Sequence, residues 1–241
     1  MSNLPRVALF DLDGTLLAED TQLLFCNYVL KRHPLRRLFL PFFLPFVPAA
    51  AARVLDAREM KRVFLSYLWL TPRQRLLEYA RDFAKNDAAT RVFPQLQEEI
   101  ERHRRERRVL VLNSASPLFY VQEIAHALGF DHAFGSRVVI HDLQPLVADL
   151  TGPNNKRSAK LPGMETAGLL PCDAADSWAY SDSLADLPML EVVMNAVLVN
   201  PNRELAALGQ ARGWRVIRAR QPWRSRAGQA SAILRQVLGI Y

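Results

Sequence analysis

The chain has 241 residues, half of them hydrophobic, so it is long and apolar enough to bury a sizeable core, which excludes a disordered protein. Its 31 lysines and arginines exceed its 24 acidic residues, and the net charge of +7 favours anionic partners such as phosphate esters, anionic lipids or nucleic acid. The two cysteines, Cys26 and Cys172, are too few for a disulfide framework or a cysteine metal cluster, and they indicate a reducing compartment.

The first predicted strand carries an acidic pair at its end. Val7–Phe10 is an apolar run typical of a buried strand, and because it begins so early we expect no signal peptide. Asp11 and Asp13 follow it, and the alternation of a strand sends both side chains to the same side. Neighbouring carboxylates repel unless a cation or a shared proton relieves them, so the pair indicates a metal-dependent acid site at a strand's carboxyl end. An ordinary turn is the alternative.

The region between Thr15 and Val109 contains helical patterns and no good strand, which predicts a helical cap inserted over the site. The predicted helices are Thr21–Arg32, Ala57–Trp69, Pro72–Asn86 and Pro94–Arg107.

The cap contains an uncharged segment, residues 38–52, with Arg36 and Arg37 before it and Arg53 after it. A membrane span needs about 20 apolar residues, and three prolines would break a regular helix here. We therefore expect an interfacial or re-entrant membrane segment with arginines at the headgroup level, the alternative being a cap helix packed on its neighbours.

Four further apolar runs predict strands, and the helical patterns between several of them indicate βαβ units and a parallel sheet, hence an α/β fold. They are Val109–Asn113, Trp178–Tyr180, Ala196–Asn200 and Trp214–Ile217. A smaller pair, Ser136–Ile140 and Leu146–Leu150, predicts a hairpin. The basic tail at 218–226, which includes Trp223, is expected to be solvated.

Three later pieces carry chemistry. Ser114, at the end of the second strand, offers a hydroxyl beside backbone N–H groups, a cradle for phosphate or simply a helix start. Lys160 could neutralise both a phosphate and an attacking carboxylate, and spacing alone separates it poorly from Lys156. Asp182 and Asp186 follow a strand four residues apart and can face the first acidic pair, which gives an oxygen-rich cluster suited to Mg²⁺.

These pieces, Asp-x-Asp-Gly-Thr, Ser-Ala-Ser, a lysine and Ser-Asp-Ser-x-x-Asp-Leu-Pro in this order, resemble the haloacid dehalogenase-like (HAD) phosphatases, specifically the phosphoserine-phosphatase-like branch, subfamily IB. The resemblance covers nearly the whole chain. It implies a Rossmann-like doubly wound parallel sheet, the HAD fold, in residues 1–16 and 108–241, with an inserted α-helical cap of C1 type in residues 17–107. Ser181-Asp-Ser183 departs from the Gly-Asp-Gly of many relatives, which keeps the ligand in a less open loop.

The resemblance also implies the catalytic roles. Asp11 looks like the nucleophile that forms an aspartyl-phosphate, and Asp13 like the acid that protonates the leaving alcohol and then the base for water. Ser114 and the Ala115 N–H would hold the transferring phosphoryl group. Lys160 would pair with Asp11 and with the phosphate.

A Mg²⁺ ion is implied in the same way. Its ligands would be Asp11, the carbonyl of Asp13, and Asp182. The residues that would support this site are Gly14, Thr15 and Asp186.

A closer resemblance bears on the substrate. The run Arg32-His-Pro-Leu-Arg-Arg37, the apolar segment 38–52 and the Trp69 region are similar to the phosphatidylglycerophosphatase C group, membrane-associated enzymes that remove the terminal phosphate of phosphatidylglycerophosphate. This implies a phospholipid headgroup substrate, membrane-surface contact and a place at the cytoplasmic side of the inner membrane. The alternatives are a soluble cytoplasmic phosphatase of phosphoserine or another small metabolite, and a non-catalytic membrane-associated module. No nucleic-acid partner is expected, because the arginine-rich run 102–108 has no interleaved aromatics, and the oligomeric state stays open.

Overall fold

The computed structural model describes residues 4–241 and places seven strands in one sheet of order β4-β3-β2-β1-β5-β6-β7. The strands are β1 Val7–Phe10, β2 Val109–Pro117, β3 His132–Val138, β4 Leu150–Thr151, β5 Trp178–Ser181, β6 Asn195–Val199 and β7 Arg215–Ile217. All neighbours pair parallel except β3 and β4, which are antiparallel. The predicted α/β fold with a parallel sheet is confirmed.

Strand β1 lies at the centre of the sheet and is buried on both faces. Val7 and Leu9 pack into one apolar cluster, and Ala8 and Phe10 into the other, as the alternation of a strand requires. Because β2 and β5 flank β1 on opposite sides, the chain reverses its strand order here. In open parallel sheets such a switch point leaves a crevice at the carboxyl ends of the strands, where ligands bind.

Eleven helices are described, six of them between β1 and β2, where the cap is predicted. The helices before β2 are α1 Thr21–Arg32, α2 Phe39–Phe43, α3 Phe46–Ala51, α4 Ala57–Phe64, α5 Arg73–Asn86 and α6 Pro94–Arg105. Those after β2 are α7 Leu118–Leu128, α8 Leu161–Thr166, α9 Leu187–Leu190, α10 Arg203–Ala211 and α11 Arg226–Val237. Short 3₁₀ turns are Pro34–Leu38, Leu65–Leu68, Ala88–Arg91, Arg157–Lys160, Ala174–Asp176 and Leu184–Asp186.

Helix α1 has the bounds that the sequence predicts, since Asp20 caps it by accepting hydrogen bonds from the N–H groups of Gln22 and Leu23. The predicted helix Ala57–Trp69 is too long, because the last turns tighten into 3₁₀ geometry after Phe64.

The predicted hairpin of Ser136–Ile140 with Leu146–Leu150 is wrong for most of its length. Strand β3 begins earlier, at His132, and pairs parallel with β2, so it is a strand of the main sheet. Only Arg137 and Val138 pair antiparallel with β4. Gly135 made this strand hard to recognise in the sequence, because glycine is uncommon inside strands. A glycine is required at this position, since a Cβ there would collide with the Ser116 carbonyl of β2.

The prolines of the apolar segment 38–52 break it into two short helices, as predicted. Pro41 and Pro48 each lie in the first turn of α2 or α3, where the missing N–H would have no partner anyway, and Pro45 precedes α3. Phe39 packs inward against Phe64. Within residues 4–241, no helix combines the length and apolar composition needed to cross a bilayer.

Candidate active site

The acidic pair lies where β1 ends, at the switch point of the sheet. The Asp11 N–H donates to the Tyr180 carbonyl of β5 (3.0 Å), which extends the ladder to the last residue before the turn. Asp13 Oδ1 accepts from the Thr21 N–H (2.7 Å), at the amino-terminal end of α1. Helix α1 therefore holds the orientation of the second carboxylate.

Lys160 is the lysine that reaches this pair. Its Nζ lies 2.7 Å from Asp11 Oδ1 and 2.8 Å from Asp186 Oδ1, and the side chain is only 1% exposed. Burial acts to lower the pKa of Lys160, but attraction by the two carboxylates outweighs it and holds the pKa above its usual range. Lys156 is exposed, so the structure brings Lys160 rather than Lys156 to Asp11.

Asp182 joins the cluster through Thr15. The Thr15 hydroxyl lies 3.2 Å from Asp11 Oδ2 and 3.1 Å from Asp182 Oδ1, and it accepts the Asp182 N–H at 3.0 Å. Gly14, with φ +81°, lies against the same carboxylate, and a Cβ there would collide with Asp182. Only glycine combines this backbone conformation with so close an approach.

The cluster has an excess of negative charge. Burial, with neighbouring carboxylates, raises the pKa of Asp11 despite Lys160, and burial raises the pKa of Asp182 to about 6. Asp11 and Asp186 share the Lys160 ammonium group, whereas Asp182 and Asp13 accept from the neutral donors Thr15 and Thr21, and a divalent cation would relieve the excess of negative charge.

The donor set fits Mg²⁺, which prefers carboxylate, carbonyl and water oxygens. Asp11, Asp182 and the carbonyl of Asp13 are the residues that would hold it. In residues 4–241 no group of three or more His, Cys, Asp or Glu side chains is arranged for a metal ion. Binding would therefore depend on two carboxylates, a backbone carbonyl and oxygens from outside the protein.

Two serines at the end of β2 face Asp13. Ser116 Oγ donates to Asp13 Oδ2 at 2.7 Å, Ser114 Oγ lies 3.3 Å from the same oxygen, and the Ser116 N–H donates to Ser114 Oγ at 3.0 Å. The structure thus brings Ser114 to the acidic pair, with Ala115 between the two serines. Ser116 was not predicted, although its position two residues after Ser114 is the strand spacing that puts both on one side.

Lys61 is a further residue that sequence reasoning missed. It extends from helix α4 toward the end of β2, where its Nζ donates to the Ala115 carbonyl, to Ser136 Oγ (3.1 Å) and to Asn154 Oδ1 (2.6 Å). Burial lowers the pKa of Lys61 to about 8, an effect that Asp13 opposes. Its spacing from Phe64, three residues on, puts it on the apolar face of α4, and a lysine on such a face is the signal that could have revealed it.

Comparison with known proteins is consistent with this geometry. The model of the haloacid dehalogenase-like hydrolases matches residues 8–191. A probable phosphatase of Mycobacterium tuberculosis is 30% identical over 224 residues, which is 89% of this chain and 76% of that protein.

Solved structures give the same picture. A protein of unknown function from Bordetella pertussis superposes with a TM-score of 0.74 at 25% identity, covering 90% of this chain and 99% of that one. A phosphoserine phosphatase with an analogue of a phospho-aspartyl intermediate superposes with a TM-score of 0.59 at 19% identity, covering 91% and 96%. The latter likeness concerns the fold alone, and the resemblance to phosphatidylglycerophosphatase C stays a prediction.

Proposed function

Since the chain belongs to the haloacid dehalogenase-like hydrolase family and is a phosphatase, we propose that it hydrolyses the phosphomonoester of a small alcohol through an aspartyl-phosphate on Asp11, with Mg²⁺ in the site. The observation that carries this proposal is the contrast between the buried carboxylate of Asp11 and the partly exposed carboxylate of Asp13. Asp11 is paired with Lys160 at 2.7 Å, whereas Asp13 is held by neutral donors, the Thr21 N–H and the Ser116 hydroxyl.

The contrast assigns a different task to each carboxylate. Burial raises the pKa of Asp11, and the Lys160 ammonium opposes that effect and favours the ionised form, which is the form that attacks phosphorus. A bond forms between an Asp11 oxygen and phosphorus while the bond from phosphorus to the ester oxygen breaks, and Asp13 gives its proton to the departing alkoxide. Water then attacks the phosphorus of the aspartyl-phosphate, and Asp13 takes a proton from that water. The bond between the Asp11 oxygen and phosphorus breaks, inorganic phosphate leaves, and both carboxylates return to their starting forms.

Other groups bind and orient the phosphoryl group. The Ser114 hydroxyl and the Ala115 N–H would hold its oxygens, and the Lys160 ammonium would offset their charge. When bound, Mg²⁺ supplies further positive charge to the same oxygens. Lys61 uses its three donors on neutral acceptors, among them the Ala115 carbonyl, and we infer that it turns to the phosphate of the bound ester.

A phosphoenzyme test examines this mechanism directly. The parent should hydrolyse members of a phosphomonoester panel that includes p-nitrophenyl phosphate and phosphoserine, and acid quench should trap one phosphoryl group per chain by intact mass. Asp11→Asn should neither turn over nor gain that mass, and Asp142→Asn, a change at an exposed loop residue, should behave as the parent. Steady turnover by Asp11→Asn would refute the mechanism. Absence of turnover with every ester would instead favour the non-catalytic alternative.

A phospholipid headgroup phosphate, such as that of phosphatidylglycerophosphate, is a second candidate substrate, and one observation favours it. Leu35, Leu38 and Leu44 of the cap are 83%, 74% and 55% exposed, and Trp69 and Leu70 are 51% and 53% exposed. We call these five side chains the apolar cap face. Leu35, Leu38, Trp69 and Leu70 line one cavity, and large apolar surfaces are uncommon on monomeric proteins and mark sites of interaction.

The charges beside the apolar cap face suit an anionic membrane. Arg36 lines a cavity of about 560 Å³ at this face and donates only to backbone carbonyls, those of Tyr67 and Trp69. Arg37 likewise donates to the Gly239 carbonyl. Neither arginine forms a salt bridge with a described residue, so both charges are left to attract anionic headgroups. If a phospholipid headgroup is the substrate, the protein would act at the cytoplasmic face of the inner membrane.

Vesicle binding separates the two candidates. The lipid candidate predicts co-sedimentation with phosphatidylglycerol vesicles, weaker binding to phosphatidylcholine vesicles, and release of phosphate from phosphatidylglycerophosphate in vesicles. Leu38→Ser with Trp69→Ser should abolish binding, whereas Leu234→Ser, at an exposed leucine of α11, should not. No binding by the parent, together with turnover of dissolved esters, would leave the small-alcohol phosphatase.

A further inference from the structure

A cavity of about 280 Å³ opens beside the candidate general acid. Its lining joins Asp13 and Asp182 of the site to Trp223 and to α11 residues Gln229 and Ile233. The alcohol released by the phosphatase reaction must leave from a position next to Asp13, because Asp13 gives it the proton. This cavity is therefore open space where the alcohol part of the substrate can lie.

The C-terminal part of the lining is held firmly in place. Helix α11 packs on cap helix α1, and the chain end continues along it: the Tyr241 N–H donates to Asn27 Oδ1 and the Tyr241 hydroxyl to Glu19 Oε1, both at 3.0 Å. Gly239, with φ +69°, lies so close to Leu30 that a Cβ would collide with it. The expectation of a solvated tail holds for its arginines but is wrong for Trp223, which is half-buried and lines the cavity.

The chemistry of the lining limits what can bind. Trp223, Ile233 and Leu23 give it apolar surface, and among its described residues there is no lysine, arginine or histidine. Glu19 and Asp20 add carboxylates. Glu19 is already paired with Arg91 at 2.9 Å, so Asp20 is the carboxylate that adds charge to the lining. An anionic group on the alcohol would meet no cationic side chain in the lining, whereas a neutral or cationic group needs none. The volume lies just below the range typical of drug-sized ligands, which suits a small alcohol.

We propose that this cavity is the binding pocket for the leaving alcohol, that it takes a small neutral or cationic alcohol, and that Ile233 and Trp223 select that alcohol by size. The proposal rests on the proposed phosphatase function and adds the substrate class. It assigns substrate selection partly to the C-terminal helix, outside the cap.

The test compares two neighbouring residues of α11. Ile233→Trp fills the pocket and should lower the ratio of kcat/KM for 1-naphthyl phosphate to kcat/KM for phosphoethanolamine at least tenfold. Ile233→Ala enlarges the pocket and should raise the same ratio several-fold. Leu234→Trp and Leu234→Ala are the matched controls, since Leu234 is 60% exposed and does not line the pocket, and both should keep the parent's ratio.

Charge selection is tested with the parent protein. Phosphoethanolamine and phosphoserine differ by one carboxylate, and we expect kcat/KM to be about tenfold higher for phosphoethanolamine because the pocket offers no cation. A preference for phosphoserine would overturn the charge assignment. If Ile233→Trp does not fold, Ile233→Ala carries the size test alone.

The two levels of proposal fail differently. A parent that forms no phosphoenzyme with any ester removes the proposed function and the pocket with it. A parent that forms the phosphoenzyme, while both Ile233 variants keep its substrate ratio, overturns the pocket and leaves the phosphatase mechanism intact.

Discussion

Lys61 carries a buried charge that we expect to lower the stability of the fold while serving the reaction. The residue is 8% exposed, and burial lowers its pKa from the usual 10.5 to about 8, although Asp13 and Asp20 oppose the shift. Such a pKa difference between the folded and unfolded chain corresponds to about 3 kcal/mol. Below about pH 8 Lys61 is protonated in both the folded and the unfolded chain, and the full free-energy cost of burying its charge is present. As the pH rises from about 8 to 10.5, the folded state releases its proton first and stability is regained.

Lys61→Met removes the charge and keeps the length of the side chain. The Ala115 carbonyl keeps a partner, because Ser136 Oγ also donates to it at 2.6 Å. We therefore expect the variant to be more stable than the parent by about 1–2 kcal/mol at neutral pH, with the difference shrinking as the pH rises toward 10. Its kcat/KM should fall about 10- to 100-fold, since a hydrogen bond from a charged group to phosphate contributes about 1.5–3 kcal/mol.

Urea denaturation across this pH range measures the first effect, and steady-state kinetics measure the second. Lys85→Met is the control, because Lys85 lies exposed on cap helix α5 and should change neither quantity. A stability difference that stays constant from neutral to alkaline pH would refute the buried charge. An unchanged kcat/KM would limit Lys61 to holding the cap on the core.

Three further outcomes follow from the site. Lys160→Met leaves Asp11 and Asp186 without their cation, so the free energy of unfolding in urea should fall by about 3–5 kcal/mol and turnover should vanish; a stable, active variant would contradict the pairing. Gly14→Ala drives a Cβ into Asp182 at a positive φ, so it should destabilise the fold by about 1–3 kcal/mol and lower the Tm, whereas a parental Tm would mean that the loop relaxes. Mg²⁺ should raise the Tm of the parent, EDTA should abolish its turnover, and Asp182→Asn should lose the Mg²⁺-induced shift; equal shifts in both proteins would place the metal elsewhere.

The proximity of Asp11, Ser114 and Asp182 could be predicted because it follows from local sequence patterns. Each residue comes directly after or near the end of an apolar run, and parallel strands end at one edge of a sheet. Lys160 and Lys156 could not be separated, since their directions depend on the 3₁₀ turn Arg157–Lys160, whose first residue has φ +59°. That turn directs Lys160 into the core, and the residue types of the turn do not predict a positive φ at Arg157.

The residues that were missed share another physical cause. Lys61 contacts Ala115, which is 54 residues away in the sequence. Ile233 and Asp13 line the same pocket although they lie near opposite ends of the chain. Such contacts depend on how the cap and the C-terminal helix pack on the core. Periodicity reports which face of a helix is buried, but not which segment covers it.

The two candidate substrates make different demands on helix α1. Leu23, near its start, lines the alcohol pocket, and His33, at its end, lines the cavity of the apolar cap face. At 1.5 Å per residue these positions are about 15 Å apart along the helix axis. A lipid whose bilayer contacts the apolar cap face would have to extend from the cavity beside His33 to the pocket beside Leu23, whereas a dissolved ester has no such constraint.

The two cavities share no lining residue, so the two demands can be tested separately. If the apolar cap face binds a membrane, changes at Leu38 and Trp69 should remove vesicle binding without altering which dissolved alcohol is preferred. Changes at Ile233 should do the reverse. Loss of both properties from either set of changes would mean that the membrane surface and the alcohol pocket act as one site, which would favour a lipid phosphate over a dissolved one.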